Sequence, residues 1–91
     1  MEVEIEKFYP FMLKMKSSTL LGYADVKLNG LLKIRGIKLI RKPDGGTFIV
    51  PPSFQNSKGE YVNVVEFLDR GLREKIRKTL SEYYKEHFEK E

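Results

Sequence analysis

The chain has no cysteine and a single histidine in its 91 residues. The first absence excludes disulfides and thiolate metal sites, and the second leaves too few ligands for a zinc centre, so no metal is expected. No apolar run approaches membrane-spanning length and no signal peptide opens the chain, so a cytoplasmic protein without a membrane partner is the expectation. Catalytic signatures are missing as well. There is no Gly-x-Ser-x-Gly elbow, no Gly-Lys-Ser or Gly-Lys-Thr phosphate loop, no histidine pair and no thiol nucleophile. Asp44-Gly45-Gly46 reads as turn chemistry, and Ser53 has no histidine near it in sequence. The expectation is a protein that is no enzyme and needs no cofactor.

What is present suffices for one domain spanning residues 1–91 and one modest core, at a size where small folds often lean on a second copy. Lys and Arg number 17 against 13 Asp and Glu, a net charge of +4 that favours polyanionic partners. The excess is local. Residues 1–30 and 61–91 are balanced, whereas residues 31–60 hold six bases against two acids. Gln55 is the only glutamine beside abundant Lys and Glu, a balance common in heat-adapted proteins.

The apolar pattern has period two over most of the chain. Phe11, Leu13 and Met15 alternate with Met12, Lys14 and Lys16 in a first strand, which Pro10 assigns to a sheet edge. Ser17-Ser18-Thr19 reads as a turn. Ala24, Val26 and Leu28 form a second strand that ends at Asn29-Gly30, a strong hairpin signal, so these neighbours must be antiparallel. In "LLKIRGIKLIRK" the phase breaks: Leu32 and Ile34 are apolar on even positions, Ile37 and Leu39 on odd ones. A β-bulge at Gly36 restores the phase and puts Lys33, Arg35 and Lys38 on the solvent face. Pro43-Asp44-Gly45-Gly46 is the next turn, "TFIV" a fourth strand, and Asn56-Ser57-Lys58-Gly59 a further turn before a strand from Tyr61 to Val65. In "TFIVPPS" two consecutive prolines end the fourth strand abruptly, because neither can donate to a ladder.

From Asp69, a plausible N-cap, the period becomes helical. Leu72, Ile76, Leu80 and Tyr83 share a stripe, with Leu68, Thr79 and His87 at its borders. The expected fold is α+β: an antiparallel meander of about five strands with a long C-terminal amphipathic helix packed on it.

On a wheel of about 100° per residue, Arg70, Arg73 and Arg77 lie on one flank of the stripe with Tyr84, while Lys75 and Lys78 point elsewhere around the exposed surface. Residues 70–78 carry five bases against one acid, and residues 79–91 four acids against two bases. This opposes the helix dipole, which favours acids at the N-terminus. Arginines at a helix N-terminus suit phosphate, and the alternative is a solvated face of Glu and Arg pairs. Lys33, Arg35, Lys38, Arg41 and Lys42 form a second basic run, explicable either as protection of an exposed strand or as a field for a phosphate backbone. Phe11, Phe48 and Tyr83 fall on apolar stripes and are expected to pack. Tyr23, Phe54, Tyr61 and Tyr84 are freer to be exposed, where they would stack on bases or contact a second copy. His87 reads as a packed or surface side chain rather than a catalyst.

The order of these signals resembles the SpoVG family, the stage V sporulation protein G or septation regulators of bacteria. The family's I-x-V-I strand matches Ile37 to Ile40, its G-x-F-V-x-M-P-S matches Gly46 to Ser53, and its D-G-x-[FY] turn matches Lys58 to Tyr61. Its R-x-x-I helix motif matches Arg73 to Ile76, with the later tyrosine at Tyr83 or Tyr84. The resemblance covers about residues 20 to 85. Pro51 replaces the family's methionine and stiffens the loop. Phe54-Gln55 follows the serine where bases are common, leaving Lys58 as the nearest base. Asp69-Arg70 replaces the Asn-Ser that leads the family helix, and the N-terminus, with Glu2, Glu4 and Glu6, is longer by several residues.

The resemblance implies a homodimer and a regulator that binds DNA and/or RNA, influencing gene expression, sporulation or septation in cell division. The site expected here is Arg70, Arg73, Arg77 and Lys78 on phosphates, with Lys33, Arg35 and Lys38 extending the footprint and Lys58 beside the loop. The alternative is a protein-protein interaction module of a division or regulatory pathway, with a protein partner in place of nucleic acid.

Overall fold

Alternation of apolar and polar residues along four consecutive segments builds an antiparallel meander, seen in a computed structural model that describes residues 1–89. Strands β1 (Val3–Lys14), β2 (Thr19–Leu28), β3 (Leu32–Arg41) and β4 (Thr47–Val50) lie in the order β1-β2-β3-β4. A second, two-stranded unit pairs β5 (Ser53–Gln55) with β6 (Tyr61–Asn63), and helix α1 (Arg70–Phe88) packs across one face of the main sheet. The α+β architecture is the expected one. The strand at Tyr61, however, pairs with the segment after the two prolines and not with the sheet. Pro51 and Pro52 end the β3–β4 ladder at Val50, and the chain leaves the sheet before it turns back on itself.

The turns follow their residues. Asn29 and Gly30 both have positive φ, 55° and 65°, as a type I′ hairpin requires. Asn56 Oδ1 accepts from the backbone N–H groups of Lys58 (2.9 Å) and Glu60 (3.0 Å) and braces the β5–β6 turn. Asp44 does the same for Gly46 (2.8 Å) between β3 and β4.

The bulge in β3 is present. Ala24 pairs with Ile37 and Val26 with Ile34, so Arg35 and Gly36 together oppose Asp25. Gly36 has φ +81°, a conformation open to glycine at little cost. Asp25 is buried and accepts from Gly36 N–H and from the Tyr9 hydroxyl, each at 3.3 Å. Two further irregularities lie in β1, at Glu6 and between Pro10 and Leu13, and another sits at Leu21 in β2. At Gly22 a Cβ would stand 2.5 Å from the Tyr9 carbonyl oxygen and 2.6 Å from Phe8 Cζ, so only glycine fits the β1–β2 contact.

These phase corrections put Phe8, Leu21, Ala24, Val26, Leu28, Ile34, Ile37, Leu39 and Ile49 on one face, against Ile76, Leu80 and Tyr84 of α1. Asp69 is the N-cap, with Oδ2 accepting from Leu72 N–H at 3.1 Å. Its carboxylate supplies the negative charge that the first turn, which has no acid, otherwise lacks.

The aromatic residues depart from expectation in two places. Tyr84 is buried, since the stripe runs 76, 80, 84 at intervals of four, and its ring meets Phe8 edge-on at 5.6 Å. Phe11 is 53% exposed and Leu13 48% exposed, because they turn to the face opposite α1, which no described element covers. The strand also begins earlier than expected, at Val3, with Val3 and Ile5 half-buried against the core. Leu68 precedes the helix and is exposed rather than bordering the stripe.

Truncating Asp25 to Ala should leave Gly36 N–H and the Tyr9 hydroxyl without their partner, at a cost of about 1–3 kcal/mol. Truncating Leu80 to Ala should cost ~2–5 kcal/mol through a core cavity. Urea unfolding followed by circular dichroism measures both. A variant at residue 25 as stable as the parent would show that the bulge holds itself.

Candidate functional site

Among the described residues no further strand pairs with the outer edge of β4, where outward backbone groups need other partners. α1 supplies one of them and grips a side chain beside it. Arg73 donates from NH2 to the Ile49 carbonyl at 3.0 Å, and Arg77 donates from NH1 to Thr47 Oγ1 at 3.1 Å. Thr47 Oγ1 also meets Ser81 Oγ. Two of the arginines expected to contact phosphate therefore also fasten the helix to the sheet edge.

Between that edge and the helix lies an open cleft of about 670 Å³, lined by Lys42, Gly46, Thr47, Phe48, Arg70, Arg73, Glu74 and Arg77 among others. The side chains of Arg70 and Lys42 have neither an ion-pair nor a hydrogen-bond partner among the described residues. Glu74 is the one carboxylate in the lining, and it takes Arg77 through Nε at 3.0 Å to both of its oxygens. The pair holds the Glu74 carboxyl below its usual value and raises the Arg77 guanidinium. It therefore persists through neutral pH and is lost only as pH falls through the lowered carboxyl value. A polyanion entering the cleft meets Arg70, Arg73 and Lys42 first, and Arg77 only by exchange with Glu74. Lys78 lines a neighbouring depression with Arg77, Ser81 and Lys85.

The second basic run divides. Lys33 and Lys38 alternate with the core residues Ile34, Ile37 and Leu39, so their side chains leave the sheet on the face opposite α1. Arg35 is exposed at the bulge. Lys33 is spoken for: Glu6 binds it at 2.6 Å and Lys27 at 3.1 Å, and the two lysines, Lys33 first, lower the Glu6 carboxyl while Glu6 raises Lys27. Lys38 is half-buried between Tyr23 and Val50 in the cross-strand register. Arg41 and Lys42 go the other way, toward the helix. Arg41 pairs with Glu89 and lies over the Tyr84 ring at 5.7 Å, and Lys42 joins the cleft. Lys58 stands in the β5–β6 turn, away from the helix cleft. The helix arginines are thus brought together with Lys42, whereas Lys33, Arg35 and Lys38 are not brought to them. A count along β3 with the bulge included places Arg41 on the helix side, whereas Lys42 lies past the last β3 residue and reaches the cleft from the turn.

Among the described residues, no second layer covers the face opposite α1. A row of paired residues crosses all four strands there, Leu13–Leu20–Ile40–Phe48, beside Tyr9, Phe11 and Tyr23. Leu20 and Ile40 are buried within it, while Tyr9, Phe11 and Leu13 are 43–53% exposed. No described helix is long and apolar enough to cross a membrane.

The family model described as SpoVG matches residues 1–86. This is wider than the span from 20 to 85 that the motifs mark, and it takes in the acidic N-terminal strand. A Borrelia hermsii protein whose name calls it a septation protein, SpoVG, is 33% identical over 75 residues, which cover 81% of this chain and 77% of that protein. No solved structure gives a significant match.

Replacing Glu74 with Gln should release Arg77 into the cleft. Titration with inorganic pyrophosphate, followed by amide shifts at Gly46 and Thr47, should then show affinity raised roughly two- to fivefold, the scale of one exposed ion pair. Unchanged affinity would mean that Arg77 is not held back by Glu74.

Proposed function

The chain belongs to the SpoVG family, and on that premise we propose that it is a cytoplasmic, homodimeric regulator of septation or sporulation that binds DNA and/or RNA and performs no catalysis. The observation that carries the binding is the cleft between β4 and α1, where Arg70, Arg73, Arg77 and Lys42 converge on one concavity with a single acid. Phosphates neutralised by fixed cations release counterions, so such binding is strong at low salt and largely indifferent to sequence. Arg70 leads because it is exposed and unpaired. Arg73 and Arg77 keep contacts to Ile49 and Thr47, which orient their guanidinium groups toward the cleft. Lys78 extends the surface along the helix. Lys33, Arg35, Lys38 and Lys58 play the smaller part, since they lie apart from the cleft.

The uncovered sheet face supports the dimer. A sheet with an apolar row on each face buries both when two layers cover it, and α1 covers one. A second copy laid on Tyr9, Phe11, Leu13 and Phe48 would cover the other. The same face would serve a protein partner, the one competing reading with an observation behind it.

Fluorescence anisotropy over a salt series, with duplex DNA, single-stranded DNA and RNA, tests the binding. The parent should bind with a steep log–log salt slope, and the Arg70→Ala/Arg73→Ala/Arg77→Ala variant should lose about 0.7–0.9 of slope per phosphate contact removed. Thermal melting confirms that the variant is folded. Absent binding by the parent at low salt would defeat the nucleic-acid reading and favour the protein partner. For the dimer, Leu13→Glu should shift sedimentation from two copies toward one, whereas a parent that sediments as a monomer would sink that part of the proposal.

A further inference from the structure

The meander places the β1–β2 turn and the β3–β4 turn at the same end of the sheet. Between them lies a second concavity of about 380 Å³, lined by Lys14, Lys16, Ser17, Ser18, Thr19, Arg41, Lys42 and Pro43 among others. No carboxylate is in this lining. Lys14 and Lys16 are exposed and have no ion-pair partner among the described residues, and the three hydroxyl residues offer donors beside them. Lys42 lines this concavity and the helix cleft alike. The two therefore join across the turn from Lys42 to Gly46, whose Asp44 is already engaged with Gly46 N–H. The basic surface is not a patch on the helix but a bent path: Arg70 and Arg73, then Lys42, then Lys14 and Lys16.

We propose that this path holds the sugar-phosphate backbone of a single-stranded nucleic acid, with the Lys14–Thr19 turn as a second phosphate-binding site. The inference rests on the nucleic-acid reading above and adds the class of ligand and its course. A bent path selects a flexible ligand. Duplex DNA has a persistence length of about 150 base pairs and would ride over the β3–β4 turn without entering either concavity. A single strand can fold over the turn and set successive phosphates in both, as strands do in other basic grooves. The opposite face lies off this course, where Lys33 is held by Glu6 and Lys38 lies among apolar neighbours.

The test is anisotropy with oligothymidylates of increasing length across a salt series, with matched duplex alongside. The Lys14→Ala/Lys16→Ala and Lys42→Ala variants are compared with the parent and with Lys33→Ala/Lys38→Ala. All of these changes are at exposed or half-buried side chains, and a melting curve confirms folding. For long oligonucleotides, the turn variant should lose about 0.7 of log–log slope per lysine, and Lys42→Ala a similar amount. For the shortest oligonucleotides, which fill the helix cleft alone, the turn variant should match the parent. The Lys33→Ala/Lys38→Ala variant should lose only a small slope, the same at every length, because these lysines lie off the path. If the parent binds but the turn variant keeps its slope at every length, the path is wrong and the helix reading stands. If duplex binds as tightly and with the same sensitivity to Lys14 and Lys16, the single-strand assignment is wrong. If the parent binds no nucleic acid at all, both readings fail.

Discussion

The register shift at Gly36 is the constraint on which the rest of the structure depends. Without one extra residue in β3, Ile34 and the pair Ile37 and Leu39 would face opposite sides of the sheet, and α1 would have half a core to rest on. A phase shift in a strand moves every later side chain, so one backbone position decides the sides of Lys38 and Arg41 as well. Asp25 makes that position tenable. Its carboxylate meets the N–H that the bulge withdraws from the ladder, and Tyr9 on the edge strand secures its other oxygen. Three strands thus meet at one buried acid.

The second organising contact is the clasp between α1 and β4. A strand of four residues buries little by itself. Arginines at positions 73 and 77 fall one helical turn apart, so both reach its outer edge. The same geometry holds their charges at the mouth of a cleft. The basic start of α1, which opposes the helix dipole, is offset at the cap by Asp69 and put to use by the edge of the sheet. An adverse local electrostatic choice is in this way compensated by two tertiary contacts.

Much of this was legible in the residues. The Asn29-Gly30 hairpin, the bulge, the Asp69 cap and the helical arginine flank each have a local signature that the fold leaves intact, and the family resemblance rested on motifs that fall in β3, β4 and α1. What escaped was non-local. Burial of Tyr84 depends on how far the helix extends beneath the sheet, and wheel geometry alone does not contain that distance. Exposure of Phe11 depends on which face of the sheet the helix covers, although its alternation is that of a core strand. The split of the basic run follows from the bulge's parity as far as Arg41, but Lys42 lies past the strand's end, where the turn and not the parity decides its side. The cleft with Lys14 and Lys16 joins residues far apart in sequence, and no spacing rule connects them. Val3 and Ile5 are a different case: they alternate with glutamates, and the β1 extension was there to be read.

The arginine clasp also limits how sheets of this kind can grow. Strand addition needs an edge with free backbone groups, and at β4 the Ile49 carbonyl is already taken by Arg73. Of the main sheet's two margins, the β1 side carries no such clasp among the described residues. A sheet with one blocked margin cannot propagate head to tail, because each added copy would need two open margins to continue the row. An edge-to-edge contact of the main sheet made through β1 therefore ends with its first partner, so the side chains that form the cleft also work against open-ended growth of that sheet.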